Sequence, residues 1–339
     1  MSANLITKNE RFLAADGIRG FAVLIVLIVH NMVMFFPDTY EGLAGSGKIG
    51  VWLFFVLSAF LLTNTFIVNG FTFNYIKSYF IGRFIRIIPL YIITLIIYYF
   101  FHYFSFEDAY KIFKLNYPWG HLWTIAVEFK FYFILPLIAY LLVVTNNRFG
   151  VIGTLLSAVA IIAVQQFIYP YYMVKPSSTD MIGYISAFVP GMVTAIILAT
   201  GNNNKNLVSD IIGTVVLAGV LLSVPGLRKI FFGIPNDGYL LDKHVHFAMV
   251  WGLFVYFTLS STGIINKLFS FTPLRLLGKW SFSIYLFHWL VYTQITQFHA
   301  GSHLWSLIAF FSAIFVGAII FVIIEKPMER LRHRVMKTL

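Results

Sequence analysis

Apolar runs of roughly 20 residues follow one another almost from end to end of this 339-residue chain, separated by short polar segments. Ten such runs can be drawn, over residues 18–36, 48–68, 88–104, 121–145, 149–168, 182–200, 208–224, 243–260, 280–298 and 303–325. At about 1.5 Å of rise per residue, helices of this length match a hydrocarbon core about 30 Å thick. A chain in lipid must also satisfy its backbone groups within each segment, which leaves helices or closed barrels. The pattern therefore predicts an all-α fold: a polytopic membrane helical bundle of about ten transmembrane helices, forming a single domain over 1–339. No fused soluble domain is expected. The first run lies behind a polar stretch and has no small-residue cleavage site after it, which reads as an uncleaved first span.

Composition agrees: 59% of the residues are hydrophobic and only 11% are charged, against about a quarter in ordinary soluble domains. The absence of cysteine excludes disulfides, thiolate catalysis, palmitoylation and thiolate metal sites. The net charge of +11 is explained by sidedness. Fifteen of the 24 Lys and Arg residues fall on one side of the predicted spans and seven on the other, while Arg19 and Lys130 lie within spans. The richer side includes Lys77, Arg83, Arg86, Lys205 and the cluster from Lys326 to Lys337, so both termini are expected to be cytoplasmic. With that account of the charge, no nucleic-acid partner is expected. Segment 69–87 mixes aromatic and basic residues and is expected to lie as an interfacial helix. Loops 105–120 and 225–242 face outward.

An ionisable group inside a membrane span is costly and marks a pathway or a reaction site. Arg19 and His30 are 11 residues apart, about three helical turns and roughly 16 Å, nearly on one face. Arg19 sits at the cytoplasmic mouth, whereas His30 is about 10 Å below the outer surface. Glu128, seven residues into its run from His121, falls at the same depth, which predicts that it orients the His30 imidazole. Lys130 points away from it, as i and i+2 diverge on a helix. Arginine suits phosphate recognition and histidine suits proton removal from a hydroxyl. A donor with a phosphorylated head and a long thin arm fits that polarity, and an acyl-CoA is such a molecule. His288 lies near mid-membrane, where an interhelical hydrogen bond and a channel-lining role both fit.

Two lures carry no chemistry. "GLAGSGKI" at 42–49 nearly spells a phosphate-binding loop, but Ile49 replaces the magnesium-binding hydroxyl and no strand precedes it. His244 and His246 diverge at i, i+2 and have no third ligand at a readable spacing, so no metal site is expected.

The chain resembles the acyltransferase-3 superfamily of multipass membrane acyltransferases. Their opening helix carries an Arg-x10-His pair in a D-G-x-R-G context, which here reads Asp16-Gly17-Ile18-Arg19-Gly20 and ends in His30. "FFVLSAFLL" at 54–62, "RFIR" at 83–86 before Pro89, "HLWTIAVEFKFY" at 121–132, "WSFSIYLFH" at 280–288 and "EKP" at 325–327 are similar to further family motifs, in family order. Thr124 and Ala59 stand where the family has serine and glycine.

The resemblance implies transfer of an acyl group, most often acetyl, from cytoplasmic acetyl-CoA or another acyl-CoA. The acceptor would be a hydroxyl of a carbohydrate or glycoside at or beyond the outer leaflet of the inner (cytoplasmic) membrane. It implies that Arg19 and His30 are essential and that Arg83 and Arg86 contact the donor or hold the cytoplasmic loop. It places Glu128 at the family's acidic position. Asp16, Trp123, Tyr132, Ser283, Tyr285 and His288, which lie in the same motifs, are candidates for lining the substrate channel. His30 would act as a general base, by direct transfer or through an acyl-histidine. The competing reading is a transporter or flippase for a glycan or lipid-linked substrate, which would show inverted repeats and paired broken helices; neither is visible in the sequence.

Overall fold

The computed structural model describes residues 8–200, 207–235 and 238–338, and every regular element among them is helical. Lys205 lies outside the described residues. The first helix, α1 (Lys8–Phe35), starts ten residues before its apolar run, because Ala14, Ala15 and Ile18 already pack in the core. A short α2 (Tyr40–Leu43) leads to α3 (Ser46–Asn69), which begins after Gly45 at φ 76°. Gly70, at φ 77°, ends α3 with its N–H on the Phe66 carbonyl.

Segment 69–87 does not form a separate interfacial helix. Thr72 caps α4 (Phe73–Phe100), its hydroxyl accepting from the Tyr75 N–H, and the helix runs on through Pro89. The reason is burial: Ser78, Tyr79 and Gly82 face the protein, and Tyr79 donates to the Tyr132 carbonyl at 3.1 Å.

After α5 (Phe106–Phe113), the 46-residue α6 (Trp123–Ile168) joins two of the expected runs. A straight helix of that length would reach about 69 Å, twice a bilayer core. Gly150 breaks it, with φ 66° and ψ −162° that a side chain would disfavour. Then follow α7 (Ile185–Thr200), α8 (Leu207–Leu222), α9 (Pro225–Phe232), α10 (His244–Ser260) and α11 (Ile264–Phe269). The chain closes with α12 (Thr272–His299), α13 (His303–Ile320), one π-helical turn over Phe321–Glu325, and α14 (Lys326–Thr338).

Six of the described helices are long and apolar enough to cross a membrane, or seven if α8 and α9, bent by 94°, form one span. Helix α10 falls short in length, with 17 residues. Helix α12 has the length but not the hydropathy, because Arg275, Lys279, Ser281, Ser283 and His288 lie along it. Large apolar side chains such as Leu137, Ile152, Phe167 and Phe315 are exposed, as a lipid-facing surface requires.

Helix α1 is flanked by α3 and α12, and its crossing with α12 is unusually close. A Cβ on Gly20 would lie 2.0 Å from the Leu274 carbonyl oxygen, and one on Gly278 would lie 1.8 Å from that of Asp16. The glycines of the D-G-x-R-G segment thus allow backbone-to-backbone contact, the small-residue device of helix pairs in lipid.

Candidate active site

Two cavities lie end to end along α3. The first, about 1030 Å³ with its open mouth, takes Val51, Phe54, Phe55, Ser58, Leu61, Leu62 and Thr65 from that helix. The second, about 940 Å³ likewise with its open mouth, takes Gly47, Lys48 and Val51. From Gly47 to Thr65 is about 27 Å of helix, close to a bilayer core. Along α1 the same division places Arg19 in the first cavity and Val29, His30, Val33 and Met34 in the second. Val51 and Tyr285 belong to the walls of both, so the cavities meet at a septum of two side chains. Tyr285 is held there: its hydroxyl donates to the His121 carbonyl at 2.7 Å and accepts from Thr124 Oγ1 at 2.9 Å.

Four guanidinium groups line the first cavity: Arg19, Arg83, Arg86 and Arg332. Opposite them the Tyr132 hydroxyl donates to Glu128 Oε1 in a very short hydrogen bond and accepts from Ser58 Oγ at 2.8 Å. The Arg83 guanidinium carbon stands 5.9 Å from the centre of the Tyr132 ring. Arg83 Nε and Arg332 Nε are buried without a hydrogen-bond partner. Donors of that kind suit a polyanionic ligand such as a phosphorylated head group. The Arg332 stem packs beside Gly82, its Cδ and Cγ 3.6 and 3.7 Å from where a Cβ would be, which is ordinary contact distance. Nearby, buried Glu325 accepts from Ser283 Oγ at 2.6 Å.

The second cavity is lined by His30 together with Tyr40, Lys48, His121, Trp123, Tyr285 and Trp289. His30 Nδ1 is 2.8 Å from His288 Nε2, and His288 Nδ1 is 2.7 Å from the Tyr285 carbonyl. The Trp289 ring stands edge-on to His30, with centroids 5.3 Å apart and planes at 86°. His121 Nε2 lies 3.2 Å from the Leu286 carbonyl, and its Nδ1 is buried without a partner.

The structure thus brings Arg19, Arg83, Arg86, Glu128 and Tyr132 together in one cavity, and His30, Trp123 and Tyr285 in the other. Glu128 does not pair with His30. Equal depth is not adjacency: α6 packs on α3 and α7, whereas α1 is flanked by α3 and α12. The partner of His30 is the ring of His288 from α12. Lys130 does turn away from Glu128, donating to the Thr179 carbonyl at 3.0 Å. Ser283 is buried against Glu325 rather than in a cavity wall, and Asp16 sits within the electrostatic reach of Arg19, Lys279 and Arg275. His244 pairs with the Gly183 carbonyl at 2.9 Å.

Three lining residues escaped the sequence. Arg332 was one of many basic residues near the C-terminus. His121 read as the edge of a run. Gly47, in the discarded phosphate-loop lookalike, turns out to face His30: a Cβ there would lie 3.5 Å from His30 Nε2.

The sequence model of the Acyltransferase domain family matches residues 12–325. A peptidoglycan O-acetyltransferase, OatA, of Listeria monocytogenes is 27% identical, over 93% of this chain and 55% of the relative. An O-acetyltransferase OatA of Staphylococcus aureus is 23% identical, over 84% of this chain and 51% of the relative. The chain spans about half the length of the curated relatives it matches. No solved structure matches it.

Proposed function

The chain belongs to the acyltransferase family, and from that premise we propose that it is a membrane O-acetyltransferase that moves an acetyl group from cytoplasmic acetyl-CoA, or a related acyl-CoA, to a hydroxyl of a glycan on the opposite face. The observation that carries this reading is the pair of cavities meeting at Val51 and Tyr285, with four arginines in one and His30 in the other. A donor whose phosphates rest among Arg19, Arg83, Arg86 and Arg332 can extend its arm toward the septum, and an acceptor in the second cavity meets it there. The name of the Listeria relative gives peptidoglycan as its acceptor, which supports a cell-wall glycan as the acceptor class.

In the reaction, His30 Nε2 takes the proton of the acceptor hydroxyl as its oxygen attacks the thioester carbonyl. The C–O bond forms, the C–S bond breaks, and the imidazolium returns its proton to the departing thiolate. The roughly 16 Å of α1 between Arg19 and His30 sets the span from donor head to reacting carbon. Positioning of this kind supplies much of the acceleration in bimolecular transfers. The topology that goes with this reading is ten spans in the inner membrane, the break at Gly150 and the lower-hydropathy α12 included, with both termini cytoplasmic.

The test is mass spectrometry of surface glycans from cells producing the full chain or His30→Ala. Glycan-bound acetyl should appear with the former and vanish with the latter, at equal protein in the membrane. Equal acetylation by His30→Ala would contradict the mechanism.

A further inference from the structure

The base of any proton transfer must be in the right tautomer, and the hydrogen bonds around His30 decide which one it holds. A carbonyl oxygen only accepts, so the 2.7 Å contact between His288 Nδ1 and the Tyr285 carbonyl puts a proton on His288 Nδ1. In a neutral imidazole the other nitrogen is then a bare acceptor. That nitrogen, His288 Nε2, lies 2.8 Å from His30 Nδ1. The two rings are within 6° of parallel, and their centroids are 5.1 Å apart. That separation is the nitrogen contact plus one ring radius on each side, so the rings are coplanar and end to end rather than stacked. The lone pair of one nitrogen is aimed along the N–H of the other. His30 must therefore carry its proton on Nδ1, which leaves Nε2 bare.

We infer that His288 is a positioning residue that holds His30 in its Nδ1-protonated tautomer and turns the bare Nε2 toward the second cavity. The inference rests on the reading of His30 as the general base. The direction of Nε2 follows from Gly47, which lines that cavity and whose added Cβ would meet Nε2 at 3.5 Å. Trp289, edge-on to His30, restricts rotation of its ring. The third histidine does not compete: His121 commits its own N–H to the Leu286 carbonyl at 3.2 Å, so it has no proton to offer His288. His288 is fully buried, so water is not available to replace either of its hydrogen bonds. When Nε2 takes the acceptor's proton, the Nδ1–H bond to His288 becomes charge-assisted and strengthens at the moment the imidazolium forms. The orienting role expected of Glu128 thus belongs to a neutral ring on α12, anchored by the backbone of its own helix.

The experiment is solid-state nitrogen NMR on the full chain in lipid bilayers with isotope-labelled histidine, the His30 signals being identified by their loss in His30→Gln. The expected result is a protonated Nδ1 and a bare Nε2 on His30, with a scalar coupling across the hydrogen bond to His288. In His288→Leu the coupling should vanish and the tautomers should mix. In His288→Gln, whose amide oxygen can accept from His30 Nδ1, the wild-type tautomer should return. Glycan-bound acetyl in cells should fall on the order of 100-fold in His288→Leu and recover to within about tenfold in His288→Gln. A proton on His30 Nε2 in the wild type, or an unchanged tautomer in His288→Leu, would overturn the inference. Failure of the base assignment itself registers separately, as normal acetylation by His30→Ala.

Discussion

Replacing Gly278 by alanine is the sharpest probe of how the fold serves the site. A Cβ at that position would lie 1.8 Å from the Asp16 carbonyl oxygen, 2.7 Å from the Asp16 carbonyl carbon and 3.1 Å from Gly20 N, where ordinary contact begins at 3.4 Å. All three atoms are backbone, so no side chain can rotate out of the way. Helices α1 and α12 must part by about 1.6 Å at the crossing, or the packing around it must absorb the strain, at an expected cost of about 1–3 kcal/mol. The same separation acts on chemistry, because α1 carries Arg19 and His30 while α12 carries Ser281, Tyr285 and His288. Stretching the 2.8 Å contact between His30 and His288 by even half of that displacement leaves hydrogen-bonding range. A misplacement of about 1 Å can cost on the order of 100-fold in rate. The assay pairs thermal unfolding in detergent with acetyl transfer, and Gly219→Ala is the control, because nothing lies within 4 Å of a Cβ there. Gly219→Ala should be neutral or slightly stabilising. Wild-type melting and wild-type transfer in Gly278→Ala would refute the close crossing and everything argued from it.

Three further outcomes are expected. Arg332→Ala should raise KM for acetyl-CoA about tenfold to a hundredfold with kcat nearly unchanged, since one charge-assisted contact contributes about 1.5–3 kcal/mol; an unchanged KM would remove Arg332 from the donor site. Glu128→Leu should remove the carboxylate acceptor of the Tyr132 hydroxyl and leave it to Ser58 Oγ at 2.8 Å, lowering stability by about 0.5–1.5 kcal/mol, while the nitrogen signals of His30 stay as in the wild type. A shifted His30 tautomer in that variant would show that the two residues do communicate. Asp210→Ala should lower the unfolding temperature without altering transfer by the folded protein, because Asp210 Oδ1 accepts from Ser261 Oγ at 2.9 Å and from the Ile265 N–H at 2.7 Å, fastening α8 to α11. Equal melting curves would show that this fastening adds nothing.

The apolar runs were legible because length and hydropathy are local properties, and so was the Arg19 to His30 spacing, which a helix converts directly into distance. Where two apolar runs join, as in α6, the break falls at Gly150 rather than at the polar residues just before it, since a backbone conformation and not polarity turns the chain. Segment 69–87 looked interfacial by composition, yet the burial of Tyr79 and Gly82 decides its course. Lateral neighbours were not legible. His30 and His288 are 258 residues apart, and counting turns from each end of a span measures depth without saying which helices touch. Arg332 was hidden for a related reason: in a basic C-terminal segment, one arginine that turns inward carries the same signal as its neighbours that do not.

The proposed reaction requires that the two cavities, which meet at Val51 and Tyr285, open to opposite faces of the membrane. The native chain has no cysteine, so single cysteines report without background. Thr65→Cys would stand in the cavity of the arginines and Tyr40→Cys in that of His30. A membrane-impermeant maleimide should label Tyr40→Cys on intact cells and Thr65→Cys only in inverted membrane vesicles. Labelling of both from the same face would contradict the account.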